Sequence, residues 1–192
     1  MPQEDIDTVL ARLDRVESIQ AIQQLAARYA VAVDSRDVDA WVRLFIEDVD
    51  CGRHGKGRKV LREVIAGSLR TFYRSIHLVG NHQVDLIDEN HATGIVYCRA
   101  EHEVGAQWIV MPVAYFDEYE RRDGTWYFVR RREKHWYSVD QLERPPALLH
   151  IWPEGSKPAR LPADFPTWSK FWSDSPPSVV AALTGSPITG TN

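Results

Sequence analysis

Apolar residues recur at helical spacing from the start of the chain: Ile6, Val9, Leu10, Leu13 and Val16, then, after a phase shift, Ile19, Ile22, Leu25, Ala26, Tyr29 and Val33. The pattern predicts one long helix, or two abutting ones with Ser18 capping the second, ending near Asp34-Ser35. Asp37 is placed to cap a second helix whose buried side carries Ala40, Trp41, Leu44 and Phe45. Residues 48–59 mix charges with Gly52, Gly55 and Gly57 and predict a loop or hairpin. Val60 to Tyr73 predicts a third helix, with Leu61, Val64, Ile65, Leu69 and Phe72 as its apolar stripe.

The period then changes. Residues 75–87, 92–104, 107–119 and 125–137 are runs rich in Val, Ile, Tyr and Trp, the composition of strands. The breaks between them are short and turn-like: Asp88-Glu89-Asn90, Gly105-Ala106 and Arg122-Asp123-Gly124, the last a hairpin signal. Short breaks imply antiparallel neighbours, because a parallel crossover needs a dozen residues or more. Helices first and a curled meander afterwards make an α+β chain, with the helices covering one face of the sheet. Beyond Gln141 the composition shifts to prolines, with Trp152, Trp168 and Trp172 among them. A domain over 1–140 is therefore expected, followed by a Pro/Trp-rich extension over 141–192 that packs on its own body or on a partner subunit.

Alternation assigns some side chains. Val96, Cys98, Ala100, His102 and Val104 share one face of their run, and His102 is the polar member of an otherwise apolar set, so it points inward. For His77 parity does not decide, and a bulge at Gly80 would switch faces. His82 has the opposite parity to His77 and is expected outside any shared pocket, and His54 and His91 fall in loop-like sequence. Tyr29 and Asp34 lie five residues apart, about 140° beyond a full helical turn, so Asp34 has to sit at or past the helix end to meet Tyr29.

Composition narrows the classes. With 192 residues, 44% apolar and 26% charged, the chain is that of a globular protein able to bury a core. A net charge of -4 argues against a nucleic-acid partner. The one basic cluster, Arg130, Arg131, Arg132 and Lys134, is split by alternation and is expected at a solvated edge. Cys51 and Cys98 make no disulfide framework and are expected to be reduced thiols in a cytoplasmic protein. The N-terminus lacks a signal-peptide pattern, and no apolar run approaches the ~20 residues of a membrane span. The seven histidines show no HxH, HxxxH or HExxH spacing, so no metal is expected. What remains is Tyr29, Asp34, His77 and His102: a phenol, a carboxylate and two imidazoles, a set suited to moving protons without a metal or cofactor.

The segment from Ile22 to Tyr29, then Asp34-Ser35-Arg36-Asp37, Trp41 and Leu44-Phe45, resembles the opening of SnoaL-like proteins of the nuclear transport factor 2-like superfamily. Residues 75–81, including His77 and Asn81, resemble the third-strand motif of that family, and residues 116–126 its penultimate hairpin. The resemblance spans about residues 10 to 140. It implies a cone-shaped α+β barrel: a curved, mostly antiparallel sheet closed at one end by about three N-terminal helices around a deep pocket. It also implies cofactor-independent lyase chemistry of the kind run by scytalone dehydratases, bile acid 7α-dehydratases and hexachlorocyclohexane dehydrochlorinases. Asp34 and His77 match the aspartate and histidine those enzymes share; His102 matches a second histidine of the first, and Tyr29 a tyrosine of the second. Val33 stands where scytalone dehydratases have a catalytic tyrosine, and His135 falls about where the bile acid enzymes have an arginine. Val33, Asn81, Trp108 and His135 are expected to contact substrate.

The expected reaction is a β-elimination, a dehydration of a hydroxylated and cyclic carbonyl compound. His77 serves as base, oriented by Asp34, with Tyr29 donating to the enolate oxygen and His102 protonating the leaving hydroxyl. The alternatives on the same scaffold are a ketosteroid-type isomerase, a polyketide cyclase, or a non-catalytic assembly subunit such as the small subunit of a ring-hydroxylating dioxygenase. The second inward histidine favours elimination, because a leaving group needs its own acid. The expected partners are an apolar or cyclic small molecule and further copies of the chain, as a homodimer or homotrimer, with no nucleic acid and no membrane.

Overall fold

The computed structural model describes residues 3–141, together with the isolated positions 173, 177 and 178. Apart from those positions, the Pro/Trp-rich extension and its tryptophans lie outside the described residues. Helix α1 runs unbroken over Gln3–Asp34. Ser18 is buried within it rather than capping a second helix. The phase shift in its apolar pattern turns the stripe to a different side. Ile22, Leu25, Ala26 and Val33 are buried, while Val9, Leu10, Leu13 and Val16 are 49–60% exposed.

The end of α1 sets the position of Asp34. The Arg36 N–H donates to the Val33 carbonyl at 3.1 Å and the Asp37 N–H to Ala32 at 2.9 Å, with Arg36 at φ +62°. That is a helix closed by a left-handed residue in a Schellman arrangement. A non-glycine residue there costs about 1–2 kcal/mol. Arg36 offsets it by donating to Val33 O at 2.7 Å, Ser75 Oγ at 3.0 Å and Tyr73 O at 3.0 Å. The reversed chain enters α2, Val38–Arg43, where the Asp37 side chain accepts from the Ala40 N–H at 2.8 Å. A short 3-10 turn over Gly52–His54 comes next, then α3, Arg58–Ser68, ending in a second 3-10 turn, Leu69–Thr71.

Strands β1 (Ser75–Leu86), β2 (His91–Val104), β3 (Gln107–Arg122) and β4 (Thr125–His135) form an antiparallel sheet in the order β1-β2-β3-β4. The sheet is curved and the helices cover its concave side, which makes the cone. A two-residue strand that the residue pattern does not announce, β5 (Val139–Asp140), pairs with the start of β3. The β3–β4 hairpin turns on Asp123 and Gly124, both with positive φ, as a tight primed turn requires.

Two irregularities decide which side chains face inward. Between Val79 and His82, β1 takes three steps while β2 takes two, from Cys98 to Val96. The bulge at Gly80 therefore switches faces: His77 and Val79 point inward before it, His82, Val84 and Leu86 after it. A second shift, between Glu118 and Tyr119, does the same on the β3–β4 pairing. Two apolar clusters result, one around Trp41, Phe45, Tyr119 and Phe128, the other around Val96, Cys98, Met111 and Tyr115. Tyr29 packs against both.

Candidate active site

Asp34 is the last residue of α1, and its carboxylate reaches across to β1 instead of into open space. It accepts from Ser75 Oγ at 2.8 Å and from the His77 backbone N–H at 2.9 Å, and lies 2.7 Å from His77 Nδ1. Burial works against its charge, but the hydrogen bonds from the His77 side chain and backbone and from Ser75 prevail and hold it below the usual carboxylate range. Arg36 donates to Ser75 Oγ and so supports the same cluster from behind. A charged Asp34 fixes the His77 proton on Nδ1 and leaves the Nε2 lone pair as the basic position.

His77 is 7% exposed and opens onto a cavity of about 260 Å³. Tyr29, Val33, Phe72, His102, Met111, Tyr115 and Glu133 line that cavity with it, and Leu69 and Thr71 come from the turn after α3. His102 lies on the strand next to His77, with Ser75 as its cross-strand partner. The two imidazoles stand edge to face with centroids 5.5 Å apart, and Phe72 packs on His102 at 4.4 Å. Burial, with a smaller push from His77, lowers His102 to about 4, so it is neutral at pH 7.

Tyr29 sits between Trp41 and Tyr115, with centroids at 5.5 and 5.8 Å, and the Arg131 guanidinium lies 4.3 Å from its ring centre. Burial pushes its hydroxyl up to about 12 against the pull of Arg131, so it stays protonated and can donate. Tyr29 and His77 thus meet across the cavity, while Asp34 stands one layer behind the histidine.

The other residues expected at the site divide. Val33 lines the cavity. Asn81 does not: it is exposed at the β1 bulge. Trp108 is on the opposite face of β3 from Met111 and Tyr115, and its Nε1 donates to Glu101 at 2.6 Å. His135 does not line the cavity; its Nε2 lies 2.7 Å from Oε1 of Glu133, which does. His82 stays out of the cavity as expected, though the bulge turns it inward to meet the Tyr119 hydroxyl at 3.1 Å.

The basic cluster does not sit wholly at a solvated edge. Arg130 and Arg132 are exposed near Glu118, but Arg131 is buried. It holds both oxygens of Asp117, at 2.9 and 2.6 Å, and lies against the rings of Tyr29, Tyr115 and Phe128. Inside a low-dielectric box this pairing replaces the water that an edge position would supply. Tyr115 and Glu133 also line the cavity without having been expected there. Strand β4 reads Arg-Arg-Arg-Glu-Lys-His over 130–135, so no apolar alternation marks its inner face, and the bulge upstream shifts its parity. Among the described residues, no group of three or more His, Cys, Asp or Glu side chains is arranged to hold a metal ion. Among the same residues no helix is long and apolar enough to cross a membrane.

The family model described as a SnoaL-like domain matches residues 14–132. The gamma-hexachlorocyclohexane dehydrochlorinase of Sphingobium indicum is 28% identical over 153 residues, covering 76% of this chain and 95% of that protein. Among solved structures, hexachlorocyclohexane dehydrochlorinase LinA-type3 from Novosphingobium barchaimii superposes with a TM-score of 0.60 at 27% identity, covering 74% of this chain and 99% of that one. An NTF2-like protein with a cystatin-like fold from Novosphingobium aromaticivorans gives a TM-score of 0.59 at 26% identity, covering 68% and 90%.

Proposed function

The chain belongs to the SnoaL-like family, and from that membership and the Asp34–His77 pair we propose that it is a cofactor-independent lyase acting on a cyclic, largely apolar small molecule. The reaction is a β-elimination, with dehydration of a hydroxylated carbonyl compound as the leading form. The observation that carries the reading is the 2.7 Å contact of Asp34 with His77 Nδ1, with the same histidine lining a cavity shared by Tyr29 and His102. His77 Nε2 takes the proton next to the carbonyl. The imidazolium that forms is stabilised by Asp34, as the acid of a triad stabilises its histidine. The C–H electrons pass to the carbonyl oxygen, where Tyr29 donates a hydrogen bond to the developing enolate. They then return to form the C=C bond as the C–O bond breaks.

The leaving group distinguishes two forms. His102 is held neutral, so it donates an N–H hydrogen bond to departing oxygen and is not a charged acid. The proton held by His77 then passes to the hydroxide, and water leaves. Chloride needs no proton to depart, so a neutral His102 suits dehydrochlorination equally, and the Sphingobium relative is named for that reaction. Incubation with cyclic β-hydroxy ketones and with chlorinated cyclohexanes, followed by mass spectrometry, separates them. Loss of one water, or of one hydrogen chloride, that disappears in His77→Ala supports the lyase. A product of unchanged mass points to an isomerase or cyclase and refutes elimination. A co-purifying large subunit without turnover points to an assembly role and refutes it too.

A further inference from the structure

Glu133 is the charged side chain of the cavity wall whose place neither the proton-transfer reading nor the fold accounts for. It projects from β4 opposite Tyr115 and lines the cavity, and 39% of its side chain is accessible. Among the described residues His135 Nε2, at 2.7 Å, is the side-chain atom at hydrogen-bonding distance from it. Burial favours the neutral acid, but His135 outweighs it and keeps Glu133 ionised at neutral pH. The nearby cation, Arg131, is already committed to Asp117 with both carboxylate oxygens held. His102 is neutral, and the rest of the wall is mostly apolar. The cavity therefore presents an ionised carboxylate to whatever enters it.

We propose that Glu133 selects the ligand: the cavity takes neutral or cationic ring compounds bearing a hydroxyl or amine that donates to this carboxylate, and rejects ring carboxylates. An ionised carboxylate facing a low-dielectric pocket gains from a donor and opposes a second anion, with like-charge juxtaposition costing several kcal/mol. The cavity volume of about 260 Å³ restricts the ring system to one or two rings. The inference rests on the cavity being the substrate site, as the elimination reading also requires, but it concerns equilibrium binding and not turnover.

The test is calorimetric titration at pH 7 with 2-naphthol and 2-naphthoate, which share a skeleton and differ in the group offered to Glu133. The wild-type protein is expected to bind the naphthol at least about tenfold more tightly, a difference of ~1.4 kcal/mol. Glu133→Gln is expected to erase that preference with the melting curve retained, and Glu133→Thr serves as a second variant should the first fail to fold. Equal binding of the two probes by the wild type, an unchanged preference in the folded variants, or no binding of either probe overturns the proposal. Selective binding by a protein that eliminates nothing refutes the lyase reading and leaves this one standing. Elimination without selectivity does the reverse.

Discussion

Asp34→Asn removes one acceptor from a carboxylate that has three donors around it, and the geometry leaves the substituted side chain two poor options. Oδ1 meets Ser75 Oγ and His77 Nδ1, while Oδ2 meets the His77 backbone N–H. An asparagine offers one oxygen and one NH2. With its oxygen toward the backbone N–H, the NH2 faces Nδ1, which must then accept; the ring proton moves to Nε2, and the nitrogen facing the cavity ceases to be a base. With its oxygen toward Nδ1, the NH2 opposes a backbone donor now 2.9 Å away. Losing one charge-assisted hydrogen bond costs about 1.5–3 kcal/mol. For a chain of this size that lowers the melting temperature by ~3–12 °C, at ~2–4 °C per kcal/mol. A wrong tautomer costs far more in rate, about 10⁴-fold, or ~5.4 kcal/mol of barrier. The expected result is a folded protein with kcat reduced about 10⁴-fold, read by progress curves on whichever substrate the elimination screen identifies and by thermal melts in parallel. A folded Asp34→Asn variant with kcat within about tenfold of wild type would refute the role given to the dyad.

Two further predictions concern stability. His102 titrates near 4 in the folded protein against 6.5 unfolded, so the unfolded chain binds more protons between these values and stability falls as pH drops from 6.5 toward 4. The full shift corresponds to about 3 kcal/mol. Urea titrations across that window should show a shallower pH dependence in His102→Phe than in wild type, and identical slopes would contradict the buried, neutral assignment. Arg131→Met strands Asp117, whose side chain is fully buried, and is expected to cost about 3–5 kcal/mol. Adding Asp117→Asn should return part of that loss, and a single variant no less stable than wild type would show that the pair is not buried as described.

Much of the fold was legible because its signals are local. The three helices and four long strands announce themselves by period, and the turns by residues such as Asp123-Gly124, which tolerate positive φ. The inward direction of His102 followed from its apolar neighbours on β2. The direction of His77 did not, because it depends on a bulge three residues away whose existence is set by pairing with β2. Trp108, expected to contact substrate, does not line the cavity, and its indole N–H donates to Glu101 instead.

By itself the sequence determined the element types, the antiparallel order and the chemical inventory of a phenol, a carboxylate and two imidazoles, for all of these depend on residue identity and short-range spacing. Only the tertiary structure decided which of them meet. Asp34 reaches His77 because a left-handed Arg36 ends α1 beside β1, and Glu133 enters the cavity because a bulge in the β3–β4 pairing turns Arg131 and Glu133 inward together. Both outcomes hang on register between segments far apart in the chain. A one-residue slip moves every side chain to the other face, and no local pattern records it.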